Sequence, residues 1–261
     1  MHITLNSKTA LIGGATQGIG KAIAMQLAEC GATVCLVARN ETLLKQVCSE
    51  LPAPAGQKHF YAVADYSDSA ALKTALAAIA TSHRIDIVVN NSGGPAAGPA
   101  MDAAPEAFLN AFTQHLIANQ LVVQQFAPGM KAQGWGRIIN VISTSVKIPL
   151  RNLGVSNTIR GAVASWSKTL ANELGPFGIT VNNILPGATA TERLQQIIKA
   201  NAAKKGVDED TVRAEMLHEI PAGRFGEAQE PAYAAAFLSS DFAAYINGIN
   251  IPVDGGRTGS L

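Results

Sequence analysis

The sequence predicts an α/β protein built as a single domain. It has a doubly wound parallel sheet of about seven strands, with helices on both faces and a small helical lid. Three observations carry that expectation. Strand-length apolar runs alternate with helical patterns through the whole 261-residue chain, which implies parallel strands joined by right-handed crossovers. A glycine-rich turn, Gly13-Gly14-Ala15-Thr16-Gln17-Gly18-Ile19-Gly20, joins the first run to the first helical segment. Finally, 48% of residues are apolar and only 15% charged, enough to bury one large core at this length.

In chain order, strands are expected near 9–13, 33–38, 59–64, 85–90, 136–142, 178–185 and 249–253. Thr9-Ala10-Leu11-Ile12 and Thr33-Val34-Cys35-Leu36-Val37-Ala38 are typical of these runs. Helices are expected near 18–30, 41–50, 68–82, 105–132, 153–175 and 229–240. The first places Ile19, Ile23, Leu27 and Ala28 at helical spacing, and the long fourth and fifth carry apolar residues on more than one face, among them Phe108, Phe112, Leu121, Phe126, Trp166 and Leu170. No internal repeat, low-complexity tract or linker divides residues 1–261. Only about 187–226 departs from the alternation. Polar helical patterns run there from Glu192 to Lys205 and from Asp208 to Glu219, ending in Pro221-Ala222-Gly223-Arg224-Phe225-Gly226. An insertion after the carboxyl end of a strand sits beside the ligand crevice of an open α/β sheet, and a mobile lid over the substrate is the expectation.

The formal net charge is +1, with no basic or acidic tract, so neither nucleic acid nor a membrane surface is an expected partner. Met1-His2-Ile3-Thr4-Leu5-Asn6 lacks a basic n-region and an apolar h-region, and no apolar run is long enough to span a bilayer. Cys30, Cys35 and Cys48 are odd in number and lack metal-ligand spacing. Free thiols in a reducing compartment are expected, and a cytoplasmic location with them.

The glycine turn carries the first functional expectation. A strand that enters a helix through it brings backbone N–H groups and the positive end of the helix dipole together, a ready site for a pyrophosphate. The second strand ends at Ala38-Arg39-Asn40. A dinucleotide-binding unit often has a carboxylate here for the adenosine ribose hydroxyls. A neutral residue followed by a guanidinium instead suits a 2′-phosphate, so NADP(H) is expected in preference to NAD(H). Asp65 closes the third strand, where it is placed to bond the adenine amino group or to cap the next helix.

These motifs, in this order and over essentially the whole length, resemble the short-chain dehydrogenase/reductase family, in its 3-oxoacyl-carrier-protein reductase-like branch, with its Rossmann-type fold. The glycine turn is similar to T-G-x-x-x-G-x-G, with Gly13 in place of the threonine. Asn90-Asn91-Ser92-Gly93 resembles N-N-A-G, and Gly136-Arg137-Ile138-Ile139-Asn140-Val141-Ile142-Ser143 resembles the fifth strand with its terminal catalytic serine. Val181-Asn182-Asn183-Ile184-Leu185-Pro186-Gly187, with Thr191 beyond, resembles the segment that meets the nicotinamide carboxamide and diphosphate. Phe237-Leu238-Ser239-Ser240-Asp241 and Val253-Asp254-Gly255-Gly256 resemble the closing helix and strand.

The resemblance implies four catalytic positions, and three have changed chemistry. Ser143 occupies the serine position, which bonds the substrate carbonyl. The proton-delivering tyrosine is replaced by Ser156, its lysine partner by Arg160, and the relay asparagine by His115. No tyrosine lies between Ser143 and the end of that helix, so a shifted Y-x-x-x-K does not rescue the motif. A serine hydroxyl is a much weaker acid than a phenol, and arginine holds charge without relaying a proton. The implied binding set is Gly14, Thr16, Gln17, Gly18, Ile19, Gly20, Arg39, Asn40, Asp65, Asn91, Ser92, Gly93, Arg160, Pro186, Gly187 and Thr191. Lys147 and Arg151 flank the Ser143 loop, and an anionic substrate group follows if they face the pocket.

The expected function is an NADP(H)-dependent oxidoreductase acting on a small-molecule carbonyl or alcohol through a non-standard site. The alternatives are a catalytically silent nucleotide-binding or oligomer-partner homologue, and a dehydration or isomerisation with His115 as base. The resemblance also implies a homotetramer with two-fold interfaces.

Overall fold

A computed structural model describes residues 2–260; Met1 and Leu261, the ends of the expected 1–261 domain, lie outside the described residues. Seven parallel strands form one sheet: β1 (Thr9–Gly13), β2 (Thr33–Ala38), β3 (Phe60–Val63), β4 (Ile87–Asn90), β5 (Gly136–Val141), β6 (Ile179–Pro186) and β7 (Asn250–Val253). Their order is β3-β2-β1-β4-β5-β6-β7. The chain builds outward from β1 in one direction and from β4 in the other. Ligand crevices open at the carboxyl ends of strands where the order reverses.

The helices are α1 (Gly18–Glu29), α2 (Glu41–Glu50), α3 (Ser69–Ser82), α4 (Pro105–Phe112), α5 (Ala118–Gln133), α6 (Gly154–Leu174), α7 (Glu192–Lys205), α8 (Glu209–His218) and α9 (Gln229–Ser239). One face of the sheet packs Ile23, Leu27, Leu44, Val47 and Leu238 from α1, α2 and α9. The other packs Leu72, Leu76, Val122, Phe126, Leu170 and Leu174 from α3, α5 and α6. Central strands covered on both faces read as continuous apolar runs, and β5 is buried at every position.

Strand boundaries fall within two residues of those expected. The helix expected at 105–132 is broken by a π turn, Thr113–Ile117, which joins α4 to α5. Such single-turn insertions cluster at functional sites, and this one carries His115. Helices α7 and α8 supply the polar patterns of the 187–226 insertion and have a small core of their own, Leu194, Ile198, Ala202 and Val212. Among the described residues no helix is long and apolar enough to cross a membrane, and all three cysteines are free.

Register matters directly beneath the crevice. Asn90, Asn140, Asn183 and Asn250 are cross-strand partners in sequence. Asn90 Nδ2 donates to Asn140 Oδ1 at 2.8 Å, Asn140 Nδ2 to Asn183 Oδ1 at 2.9 Å, and Asn183 Nδ2 to Asn250 Oδ1 at 2.8 Å. Ser167 Oγ of α6 accepts a second bond from Asn140 Nδ2 at 3.2 Å. A one-residue slip of any strand would strand these amides in an apolar layer. The row therefore fixes the register on which the site is built.

Candidate functional site

A cavity of about 1300 Å³ runs along the carboxyl ends of the strands, from the glycine turn to α7 and α8. It is large enough for a dinucleotide with a second small molecule beside it. At one end the chain passes from β1 into α1 through Gly14 and Gly18, at φ +57° and +54°, where a side chain would be strained. A Cβ on Gly20 would fall on the Gly14 carbonyl. Asn91 Nδ2 holds the turn from below, donating to the Gly13 carbonyl at 3.0 Å. The N-cap of α1, Gln17, makes no side-chain cap bond, and the first turn of the helix holds no acidic residue. The N–H groups that open α1 thus face the cavity without a side-chain cap, and an anionic diphosphate fits there.

Arg39 lies at the carboxyl end of β2, with 78% of its side chain exposed and Nη1 3.7 Å from Asp65 Oδ2. Asp65 also accepts from the Ser67 N–H at 2.8 Å and the Ser67 hydroxyl at 2.7 Å. Partial burial opposes ionisation of Asp65, but these bonds and the Arg39 charge outweigh it and hold its carboxyl below the usual range. It is Asp68, not Asp65, that caps the following helix, accepting from the N–H groups of Ala70 and Ala71. Asn40 lines the cavity, while its Oδ1 caps α2 through the Leu43 N–H.

At the other end, Ser143 follows β5 and begins a short 3₁₀ turn. Its Oγ accepts from the Ser145 N–H at 3.1 Å, which leaves the hydroxyl proton free to donate into the cavity that Ser143 lines. Ser156 and Arg160 lie one turn apart on α6 and line the same wall. Arg160 is 8% exposed, and its Nη1 donates to the Val141 carbonyl at 3.1 Å. Burial, then the like charge of Arg193, lowers its pKa to about 10, so it stays a cation at neutral pH.

His115 does not line the cavity. It is buried behind Ser92, with Nδ1 2.8 Å from the Ser92 hydroxyl and Nε2 without a hydrogen-bond partner. Burial first and the Arg160 charge second push its pKa down to about 2, so the ring is neutral near pH 7. The sign of the linkage is definite. Below the ordinary histidine value of about 6.5 the unfolded chain takes up a proton that the folded chain refuses, so stability falls by about 1.4 kcal/mol per pH unit there. Chemical denaturation between about pH 4.5 and 6 is expected to show this slope, reduced by about that amount per unit in His115→Asn.

The sequence set is brought together as follows. Gly14, Thr16, Gln17, Gly18, Ile19 and Gly20 line one end of the cavity; Arg39, Asn40, Asp65, Asn91, Ser92 and Gly93 its middle; Pro186, Gly187 and Thr191 the edge beneath α7. Arg151 lines the cavity as well, whereas Lys147, its companion on the Ser143 loop, is not among the lining residues. Two departures from the family pattern are matched in space. A Cβ on Gly13 would collide with the hydroxyl of Tyr66, and Ser92 stands where the N-N-A-G motif has its alanine, against His115. Sequence reasoning missed Tyr66 and Arg193. Arg193 opens α7, and its Nη2 donates to the Pro95 carbonyl at 2.7 Å, tying the insertion to the loop after β4.

Comparisons with known proteins show which family the chain and its fold belong to. The NADPH-dependent reductase BacG of Bacillus subtilis (strain 168) is 31% identical over 259 residues, covering 98% of this chain and 100% of its own. The 3-oxoacyl-[acyl-carrier-protein] reductase FabG of Haemophilus influenzae is 33% identical over 255 residues, covering 97% and 98%. The structure of L-sorbose reductase from Gluconobacter frateurii, solved with NADPH and L-sorbose, superposes with a TM-score of 0.93 at 30% identity over the whole of both chains. The family model described as enoyl-(acyl carrier protein) reductase matches residues 14–258. The chain therefore belongs to the short-chain dehydrogenase/reductase family.

Proposed function

We propose that this chain is an NADP(H)-dependent oxidoreductase that interconverts a carbonyl and an alcohol through a site lacking the family tyrosine and lysine. One observation carries the reading: a single continuous cavity joins the open N-terminus of α1 and the Arg39 guanidinium to the free hydroxyl proton of Ser143. The α1 N-terminus and the Gly14–Gly20 cradle would hold the diphosphate. Arg39 and Asn40 would meet the 2′-phosphate, Asp65 the adenine, and Thr191, Pro186 and Gly187 the nicotinamide end. The names of the relatives support this cofactor, BacG as an NADPH-dependent reductase and L-sorbose reductase as a protein solved with NADPH.

When bound, NADPH supplies the hydride for the carbonyl carbon. Ser143 donates to the carbonyl oxygen, and the Arg160 cation stabilises negative charge as it develops there. Ser156 offers a hydroxyl for the final proton, drawn from solvent in the open cavity. His115 holds Ser92, and through it the loop after β4, in place. A neutral imidazole behind the wall acts as a positioning residue and not as the acid or base. Helices α7 and α8 serve as the lid over 187–226, with Arg193 and Pro95 as its latch. Met101, Leu109 and Phe112 on one side, and Tyr233, Phe242 and Tyr245 on another, leave exposed apolar surface, which supports two-fold assembly to a homotetramer.

NADPH consumption across ketones, aldehydes and 3-oxoacyl thioesters tests the reading. Turnover above background with at least one class is expected. Background rates throughout, with NADPH bound, would favour the silent homologue, a reading that rests on Ser156 and Arg160.

A further inference from the structure

The substrate end of the cavity holds positive charge that the protein leaves uncompensated. Arg160 Nη2 lies 3.8 Å from the point a Cβ on Gly94 would occupy, and Arg193 Nη2 bonds the carbonyl of Pro95, the next residue. The two guanidiniums thus approach adjacent residues of one loop, Arg160 from the buried side and Arg193 from the mouth. Arg151 lines the same cavity. Among the described residues none of the three forms an ion pair with a carboxylate.

Three of the four acidic residues that line the cavity are engaged elsewhere. Asp65 pairs with Arg39 at the far end, Glu215 with Lys205 and Glu219 with Arg257. The fourth, Glu192, is exposed in the first turn of α7, where the helix dipole favours it. A guanidinium stays charged when buried, and a desolvated cation needs an anion or a full set of acceptors. Among the described residues Arg160 has one acceptor, the Val141 carbonyl. A tyrosine at position 156 would offer the cation a phenolate, which a serine does not. The phosphates of a bound dinucleotide would lie at the glycine turn and Arg39. The nicotinamide end of the cofactor would bring Arg160 only uncharged ribose hydroxyls, so the anion for this cation is left to the substrate.

We propose that the substrate is an oxo acid, whose carboxylate binds between Arg160 and Arg193 while Ser143 donates to its carbonyl oxygen. The planar fork of a guanidinium matches a carboxylate through two parallel N–H bonds. Arg193, carried on α7, is then a closing contact. When acid enters, its carboxylate joins the Pro95 carbonyl on the Arg193 guanidinium, so substrate charge and seating of the insertion are coupled. This inference rests on the reading of the chain as an NADP(H)-dependent carbonyl/alcohol oxidoreductase.

The test uses the whole protein loaded with NADPH and reads nicotinamide fluorescence as probe is added. Pyruvate, acetoacetate and levulinate are each compared with their methyl esters, in wild type and in Arg193→Gln. The expected result is that at least one acid binds about tenfold or more tighter than its ester, a gap of about 1.4 kcal/mol or more. The acid-to-ester ratio should fall several-fold in Arg193→Gln and with added salt, because the attraction is between charges. Esters binding as tightly as acids, or no acid binding up to its solubility while NADPH binds normally, would overturn the oxo acid and leave the oxidoreductase reading standing. Failure of NADPH itself to bind would overturn that reading and the oxo acid with it.

Discussion

Ser143→Ala is expected to lower kcat/KM by about 10²–10³-fold while leaving the NADPH dissociation constant within about twofold of wild type. The size follows from what surrounds the hydroxyl. The Ser145 N–H occupies a lone pair of Ser143 Oγ, so the O–H bond is turned outward as a donor. No tyrosine on α6 shares the load, since none lies between Ser143 and Leu174. An oriented donor acts on charge that develops in the transition state, so its loss falls on kcat and not on cofactor affinity. Steady-state kinetics with the best substrate of the carbonyl panel check this. A change under about threefold would mean that another group polarises the carbonyl.

The double change Ser156→Tyr with Arg160→Lys is expected to raise kcat for simple neutral ketones by about 10²-fold or more. A phenol beginning near pKa 10 and pulled down by a neighbouring ammonium is a general acid that serine does not provide. There is room for the ring, because Ser156 is only half-buried and faces the open cavity. The same change removes the guanidinium fork, so any preference for acids over their esters should shrink alongside the gain. Single-turnover rates on a neutral ketone and on an oxo acid separate the two effects. If the double variant were slower on both, Ser156 and Arg160 would form a complete catalytic arrangement of their own.

Most of the fold is legible in the sequence because each element carries its reason locally. β5 is a run buried on both faces, α2 and α3 are capped by Asn40 and Asp68, and Gly14 and Gly18, at positive φ, mark the turn between β1 and α1. The helix at 105–132 reads as unbroken because apolar residues fall on more than one of its faces, so the one-residue change of phase that a π turn makes leaves no visible gap in the pattern. What the sequence does not reveal is pairing between distant positions. The asparagine row exists only once β4, β5, β6 and β7 are set in register. Gly13 reads as a lost threonine until Tyr66 is seen filling the space. His115 reads as a lone helical histidine with acid/base potential until its distance to Ser92 and its burial show a neutral ring behind the wall. Arg193 reads as a surface charge in a polar helix until α7 crosses to Pro95. Electrostatics around Arg160 is set by such contacts, which is why the glycine turn is legible in the sequence and the charge balance around Arg160 is not.

Fluorescence titration of the purified protein with NADPH and with NADH, in wild type and Arg39→Ala, tests the central claim most directly. The account predicts that NADPH binds wild type about tenfold or more tighter than NADH, and that Arg39→Ala removes most of that difference by weakening NADPH alone. Equal affinity for the two nucleotides, or no binding of either, would contradict it.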